Sequence, residues 1–299
     1  MKNFPKGKIV FLTDLDHLEI RPVDEVWAED LRSHGYLVEG APWETFDEFE
    51  SIDALVFRSP YNYFKKYKEF GEFLIRAERV GVKTFNSIQT VRQNIDKRYL
   101  RSLESSGVKI IPTQWFMKDD LEGFNSKFKF NKRPNETLIV KPTVSANSYS
   151  TLRISLADAS DIKFAIGKVL EQATCAMVQP YLSEIETEGE WSMIYAGGKL
   201  THTVRKFPKT GDFRVQEDHG GSTILMNAPI AVLEAGEKTL KWVQEFNGEM
   251  PLYVRVDGVE SKDDGFLVME VELTEPSLYF THSPKSVSEF SAVLLKNLI

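Results

Sequence analysis

Cysteine is almost absent. Cys175 is the single one in 299 residues, so no disulfide forms within the chain. It lies in an apolar run and is expected to be a buried thiol. The five histidines are scattered and lack the spacing of a zinc site. No Gly-x-Gly-x-x-Gly follows the first apolar run, which excludes the dinucleotide-binding fingerprint there. No apolar run approaches the roughly 20 residues that span a bilayer. The start, Met1-Lys2-Asn3-Phe4-Pro5, shows no signal-peptide core or cleavage site. A cytoplasmic protein without membrane contact is expected. Positive charge is also in deficit, with 37 Lys and Arg against 44 Asp and Glu and a net charge of −7. That speaks against a nucleic-acid partner, which needs a basic stripe. Internal repeats and low-complexity tracts are missing.

What is present is ordinary globular composition, 42% hydrophobic and 27% charged, on a chain long enough for one large domain or two to three small ones. Lys8–Thr13 reads as a strand, followed by a helix from Pro22, a strand from Tyr36, a strand at Ala54–Arg58, a helix from Tyr61 to Val80 and a short strand at Val82–Phe85. That alternation predicts a small open parallel sheet. Ligands of such sheets sit at the strand ends, which makes Asp14, Asp16, Arg58 and Tyr63 substrate-binding candidates, suited to a polar compound such as an amino acid.

Ser87 is expected to cap a helix running through Leu100 and carrying Lys97, with a strand starting at Ile110. Thr137–Lys141 reads as a strand ending in lysine, ahead of the small polar run Thr143–Thr151. A strand at Leu152, a helix over Ala157–Gln172 and a strand at Ala176–Leu182 follow. Antiparallel strands over Glu190–Lys206 turn at Gly197-Gly198, and Ala231–Phe246 is helical. The second part is therefore α+β.

The densest chemistry lies near the C-terminus. Leu252–Val256 and Phe266–Leu273 flank a polar turn and read as a hairpin. Residues two apart in a strand share a face. Arg255 and Asp257 therefore point one way, as do Glu270 and Glu272. Pairing the strands gathers three carboxylates and an arginine, which is costly without a compensating cation. Hard oxygen donors suit Mg²⁺, which completes its shell with waters and phosphate oxygens. The competing explanation is an exposed hairpin face with ordinary surface acids.

In order along the chain, Lys97, Lys141, the small-residue loop, the Gln179-Pro180-Tyr181-Leu182 strand exit, Glu190, Lys206, Arg255-x-Asp257 and Glu270-x-Glu272 resemble the landmarks of the ATP-grasp superfamily. The resemblance is greatest to its carboxylate–amine ligase branch, and it covers nearly the whole chain. It implies an N-terminal α/β domain (1–90), a small lobe (91–183) and a large lobe (184–299), the two α+β lobes clamping ATP. By that resemblance Lys97 and Lys141 contact ATP phosphates. Ser145–Thr151 stands where the family has a glycine-rich flap, yet holds no glycine; Ser148 and Ser150 could donate hydroxyl hydrogen bonds instead. Gln179, Tyr181 and Leu182 match the adenine-reading hinge, and Glu190, with Glu188 as competitor, the acid on the ribose. Lys206 and Arg214 match the loop closing over phosphate, and Arg255 an arginine stabilising the transferred phosphoryl group. Asp257, Glu270 and Glu272 match the ligands for Mg²⁺ (or Mn²⁺). His219 is a candidate substrate contact, and Glu275–Leu278, with Ser277, is expected to line the acceptor site.

The resemblance implies an ADP-forming ligase joining a small-molecule carboxylate to an amine through an acyl phosphate, in a family whose members are often dimers. Two alternatives stand beside it. One is a small-molecule kinase of the same fold. The other is an ATP-binding module without catalysis, which loss of the glycine flap favours.

Overall fold

The structure, a computed structural model, describes residues 5–130, 137–146, 148–155, 159–209, 214–215 and 220–298. It opens with β1 (Lys8–Thr13), α1 (Pro22–Ser33), β2 (Leu37–Pro42), β3 (Ala54–Phe57), α2 (Tyr67–Val80) and β4 (Thr84–Phe85). These strands form a parallel sheet in the order β2-β1-β3-β4. The central strands are apolar on both faces, as a sheet covered on both sides requires. Ile9 and Phe11 belong to a core with Trp27 of α1, whereas Val10 and Leu12 pack with Phe70 and Phe73 of α2.

Helix α2 was expected from Tyr61, but Tyr63–Lys66 is a 3₁₀ turn and the α-helix begins at Tyr67. The cause is local. The Asn62 N–H donates to Asp14 Oδ2 (3.0 Å), its side chain donates to Glu44 (2.6 Å), and it accepts from Trp43 Nε1 (2.8 Å). Those bonds hold the segment out of helical register.

Ser87 caps α3 (Ile88–Asn94), its Oγ accepting from the Thr90 N–H at 3.3 Å. The helix does not continue through Leu100. Asp96 accepts from the Arg98 N–H (3.0 Å), a local bond that competes with helix, and the chain resumes as α4 (Tyr99–Ser105). Lys97 therefore sits in the break, its N–H bonded to Thr143 O at 2.9 Å.

A second sheet follows, built from β5 (Gln114–Phe116), β6 (Thr137–Pro142), β7 (Leu152–Ser155) and β8 (Ala176–Pro180), with α5 (Phe124–Lys127) and α6 (Ala159–Leu170) between them in sequence. Its order is β5-β8-β6-β7, all antiparallel. The strand expected at Ile110 starts at Gln114, because Pro112 has no N–H to give a ladder and Ile110 instead bridges Val268.

The third sheet contains β9 (Glu190–Ala196), β10 (Lys199–Phe207), β11 (Ser222–Leu225), β12 (Tyr253–Ser261) and β13 (Gly265–Glu272), with α7 (Glu184–Thr187), α8 (Ile230–Asn247) and α9 (Val287–Leu298) around it. The order is β11-β10-β9-β12-β13, again antiparallel. Gly197 and Gly198 make the β9–β10 turn with φ of 53° and 84°, a region closed to most side chains. Val232, Leu240 and Val243 of α8 pack with strands of this sheet, and Ile194 and Tyr253 share a core with Phe290 of α9 and Trp27.

The outer edge of β13 is closed by the 86–111 segment rather than by a strand. Tyr99 Oη donates to Val271 O and accepts from Val271 N–H, both at 2.8 Å. Asn94 brackets the same residue, donating to Val271 O (2.7 Å) and accepting from Leu273 N–H (2.8 Å). Asn86 donates to Tyr253 O (2.9 Å) and Leu273 O (2.7 Å). Among the described residues no helix is long and apolar enough to cross a membrane.

Tyr99→Phe strands a buried N–H and weakens one carbonyl, so unfolding free energy should fall by about 1–3 kcal/mol. Urea denaturation reads this directly; a midpoint equal to the parent's would mean that water replaces the hydroxyl.

Candidate active site

A cavity of about 300 Å³ opens where the three sheets meet. Its wall on the hairpin side is set by register. Arg255 pairs with Glu272 and Asp257 with Glu270 across β12–β13, with a bulge immediately after Asp257. The four side chains therefore share the cavity face, together with Glu275 just beyond β13.

The carboxylates draw cations from several elements. Arg255 reaches Asp257 through Nε (3.0 and 3.1 Å) and Nη2 (2.9 Å), and the same Nη2 donates to Glu272. Lys206 of β10 pairs with Glu190 and lies 3.4 Å from Asp257. Lys97 pairs with Glu270 at 2.9 Å and donates to Ser145 O at 2.6 Å. Ser192 Oγ donates to Asp257 at 2.5 Å.

These contacts divide the acids. Burial works against the Asp257 carboxylate, but Arg255 and Lys206 outweigh it and hold the group at about 2. Glu272 goes the other way: burial, with Glu270 and Asp257 nearby, pushes it up to about 8 despite Arg255. Burial likewise raises Glu275 to about 7, against the opposing pull of Lys97. Burial pulls the Lys97 and Lys206 ammonium groups down, yet their carboxylate neighbours prevail and both end above the ordinary lysine value.

Lys141 differs. It ends β6 facing the cavity, and among the described residues it has no hydrogen bond or ion pair. Burial lowers it below the usual lysine range, with Glu270 only partly compensating. A half-buried ammonium without a partner is costly unless an anion joins it.

The structure thus brings together Lys97, Lys141, Ser148, Gln179, Tyr181, Leu182, Glu190, Lys206, Arg214, Arg255, Asp257, Glu270, Glu272, Tyr63 and Ser277 around one cavity. At the end near β8 the wall is apolar, with Ile139, Ile185 and Met269 beside Leu182. The Gln179 amide is bonded to Thr113 (2.9 Å) and the Tyr181 hydroxyl to Glu186, so these side chains are tied back.

Other expected residues fall elsewhere. Arg58 is a correction: it is 1% exposed and its guanidinium is occupied by Asp24 Oδ1 (2.7 Å) and Pro276 O (2.9 Å). Asp14 is also buried; it accepts from His17 Nδ1 (2.8 Å), Asp16 N–H (3.1 Å) and Asn62 N–H, bracing a loop instead of facing the cavity. Asp16, Ser150 and Glu188 do not line the cavity either, and Glu188 pairs outside it with Arg205 at 3.4 Å. His219 lies outside the described residues. Sequence inspection missed Arg21, Tyr61 and Tyr279, which line the cavity. Arg21 precedes Pro22 and reads only as a helix start, and no spacing links Tyr61 or Tyr279 to the acids.

Among the described residues no three Asp, Glu, His or Cys side chains form a ready metal cage. Arg255 accounts for this, since its Nη2 bridges Asp257 and Glu272. The donor set still fits Mg²⁺. It is all oxygen, and Mg²⁺ needs only one or two carboxylates beside phosphate oxygens.

The family model described as "D-cycloserine synthetase DcsG, N-terminal domain" matches residues 9–86. The chain is 28% identical to the cycloserine biosynthesis protein DcsG of Streptomyces lavendulae, over 98% of this chain and 99% of that one. It is also 28% identical to a glutathione synthetase of Prochlorococcus marinus subsp. pastoris, over 97% and 89%. The crystal structure of D-cycloserine synthetase DcsG superposes with a TM-score of 0.85 at 26% identity, covering 98% of this chain and 100% of that one. D-alanine–D-alanine ligase from Bacillus anthracis complexed with ATP gives 0.64 at 16% identity, covering 98% and 97%. The ATP-grasp ligase PsnB complexed with a precursor variant, Mg and ADP gives 0.63 at 15%, covering 97% and 98%. The last two speak to the fold alone.

The raised carboxylates set a pH slope. A carboxyl held above its unfolded value of 4.5 contributes stability below that pH and loses it as pH rises toward 8. In chelator, the parent should lose stability between pH 5 and about 8, and Glu272→Gln should flatten that loss, gaining on the order of 1 kcal/mol at the upper end. Thermal melts across this range decide it; an unchanged slope removes Glu272 as the cause.

Proposed function

Because this chain is related to the ATP-grasp carboxylate–amine ligases, we propose that it is an ADP-forming ligase that joins a carboxylate to an amine. The observation that carries this is the unpartnered Lys141 facing Asp257, Glu270 and Glu272 across one cavity. A polyphosphate–metal complex suits that pairing: the lysine takes phosphate oxygens and the acids take the cation.

ATP would place its adenine in the apolar end beside Leu182 and Met269, and its ribose near Glu190, the one of the two candidate acids that lines the cavity. Lys97 and Lys141 hold phosphate oxygens, as do Lys206 and Arg214. Asp257, Glu270 and Glu272 would hold Mg²⁺, with Mn²⁺ as a substitute, and the ion would neutralise phosphate charge. A substrate carboxylate oxygen attacks the γ-phosphorus and the bond to the β-phosphate oxygen breaks, releasing ADP. Arg255, aimed at this region by Asp257, stabilises the charge on the transferred group. The amine nitrogen then attacks the acyl carbon, loses a proton and expels phosphate. Positioning and charge carry the chemistry, as in phosphoryl transfer generally.

The proposal divides the chain into an N-terminal α/β domain (1–90), a small lobe (91–183) and a large lobe (184–299), and the three separate sheets support it. It includes small-molecule substrates, a cytoplasmic site of action without nucleic acid, and a homodimer testable by light scattering. Phosphate release that requires an added amine separates this ligase from a kinase, which leaves phosphate on its product.

Lys141→Ala should weaken Mg²⁺–ATP binding at least about tenfold, and Lys141→Arg should restore little, because a planar fork does not replace a compact ammonium. Calorimetry with and without chelator tests both the lysine and the acids. Equal ATP affinity in chelator would remove the metal from the proposal, and parent-like binding by Lys141→Ala would remove the phosphate contact.

A further inference from the structure

The cavity extends past the acids to a wall that the phosphate chemistry leaves unused. That wall comes from the N-terminal sheet, through Arg21, Tyr61 and Tyr63. Arg21 is half-buried, with its guanidinium carbon 5.2 Å from the Tyr61 ring centroid. Among the described residues its side chain makes no hydrogen bond and no ion pair. The nearby Asp24 is committed to Arg58 at 2.7 Å.

The same cavity also carries an acid, Glu275, beside Tyr63 in its lining. Arg21 and Glu275 both line this cavity, so the two charged groups border one space. Lys141, Asp257, Glu270, Glu272, Glu275, Tyr61, Tyr63 and Arg21 thus all line one cavity.

We propose that Arg21, held on the face of Tyr61, is the specificity-determining residue that binds the spectator carboxylate of an amino-acid substrate whose ammonium faces Glu275. This rests on the ligase function proposed above and assigns one residue's part in holding its substrate. A guanidinium offers a planar pair of donors to a carboxylate, and stacking on an aromatic face orders that fork before binding. Arg58, which the sequence suggested as a substrate contact, is buried and bonded to Asp24.

The test is direct binding, so that it does not depend on turnover. The twenty common amino acids, the D-enantiomers of the chiral ones and the corresponding α-carboxamides are screened by saturation-transfer NMR against the full chain, parent and Arg21→Gln. At least one amino acid should bind the parent, and its carboxamide should bind at least about tenfold more weakly. In Arg21→Gln the acid should weaken to the level of its amide while the amide stays the same. Arg21→Lys should recover part of the loss. Mg²⁺–ATP affinity, measured on the same samples, should not move, which also reports an intact fold. Equal binding of an acid and its amide by the parent, acid binding unaffected in Arg21→Gln, or no amino acid bound by a parent that binds ATP, would each overturn the proposal. Failure of the parent to bind ATP counts instead against the ligase function, because the amino-acid comparison is read separately.

Discussion

Everything at the centre of this molecule answers to one constraint: more carboxylates share the inner face of β12–β13 than that face can neutralise by itself. Arg255 can serve Asp257 and Glu272 only by bridging them. The remaining charge draws Lys206 from β10 and Lys97 from the break between α3 and α4. Each recruited cation fixes a piece of backbone. Lys97, bonded to Glu270 and to Ser145 O, ties the second sheet to the third. A one-residue slip in β12–β13 pairing would turn the acids to the other face and leave those cations unpaired.

The same network explains why the outer edge of β13 carries side chains from 86–111 in place of another strand. A neighbouring strand would satisfy Val271 and Leu273 but would present its own alternating face. Asn94 and Tyr99 satisfy those groups by side-chain bonds and leave the backbone between them free to break at Asp96. That break aims Lys97 at Glu270. Buried charges of this kind are weak contributors to net stability. Stability here comes from the apolar clusters on either side of the third sheet.

How much of this was legible follows from the range of the interactions. Period-two spacing and a polar turn suffice to place Arg255, Asp257, Glu270 and Glu272 on one face, because pairing in a hairpin is local. Lys141 was legible as a strand end beside a small-residue loop. The parallel order of the first sheet followed from its alternation of strand and helix. Arg58 was misread because its partner Asp24 stands 34 residues away, and sequence does not show which acid a buried arginine will meet. The α3–α4 break was missed because an Asp96 side-chain bond overrides a helical pattern that otherwise continues. Arg21 carries no motif; only the assembled cavity shows that it lines the site.

The glycine-free flap shows the same trade between local cost and long-range contact. Ser148 and Ser150 adopt φ of 57° and 53°, a left-handed conformation that costs a non-glycine residue roughly 1–2 kcal/mol. Tyr149 between them offsets part of that. Its ring lies 4.9 Å from that of Phe64, and its hydroxyl donates to Gln172 at 3.0 Å. Phe64 belongs to the 3₁₀ turn that Asn62 holds out of helix, next to Tyr61 and Tyr63 of the Arg21 wall. The flap is therefore anchored to the N-terminal part by the very segment that carries this wall. Glycines at 148 and 150 would relieve the strain but give no side-chain hydroxyl, and Ser148 faces the cavity. The loop thus keeps the backbone shape that glycine would supply and adds a donor, while the Tyr149–Phe64 contact holds the conformation that the serines alone disfavour.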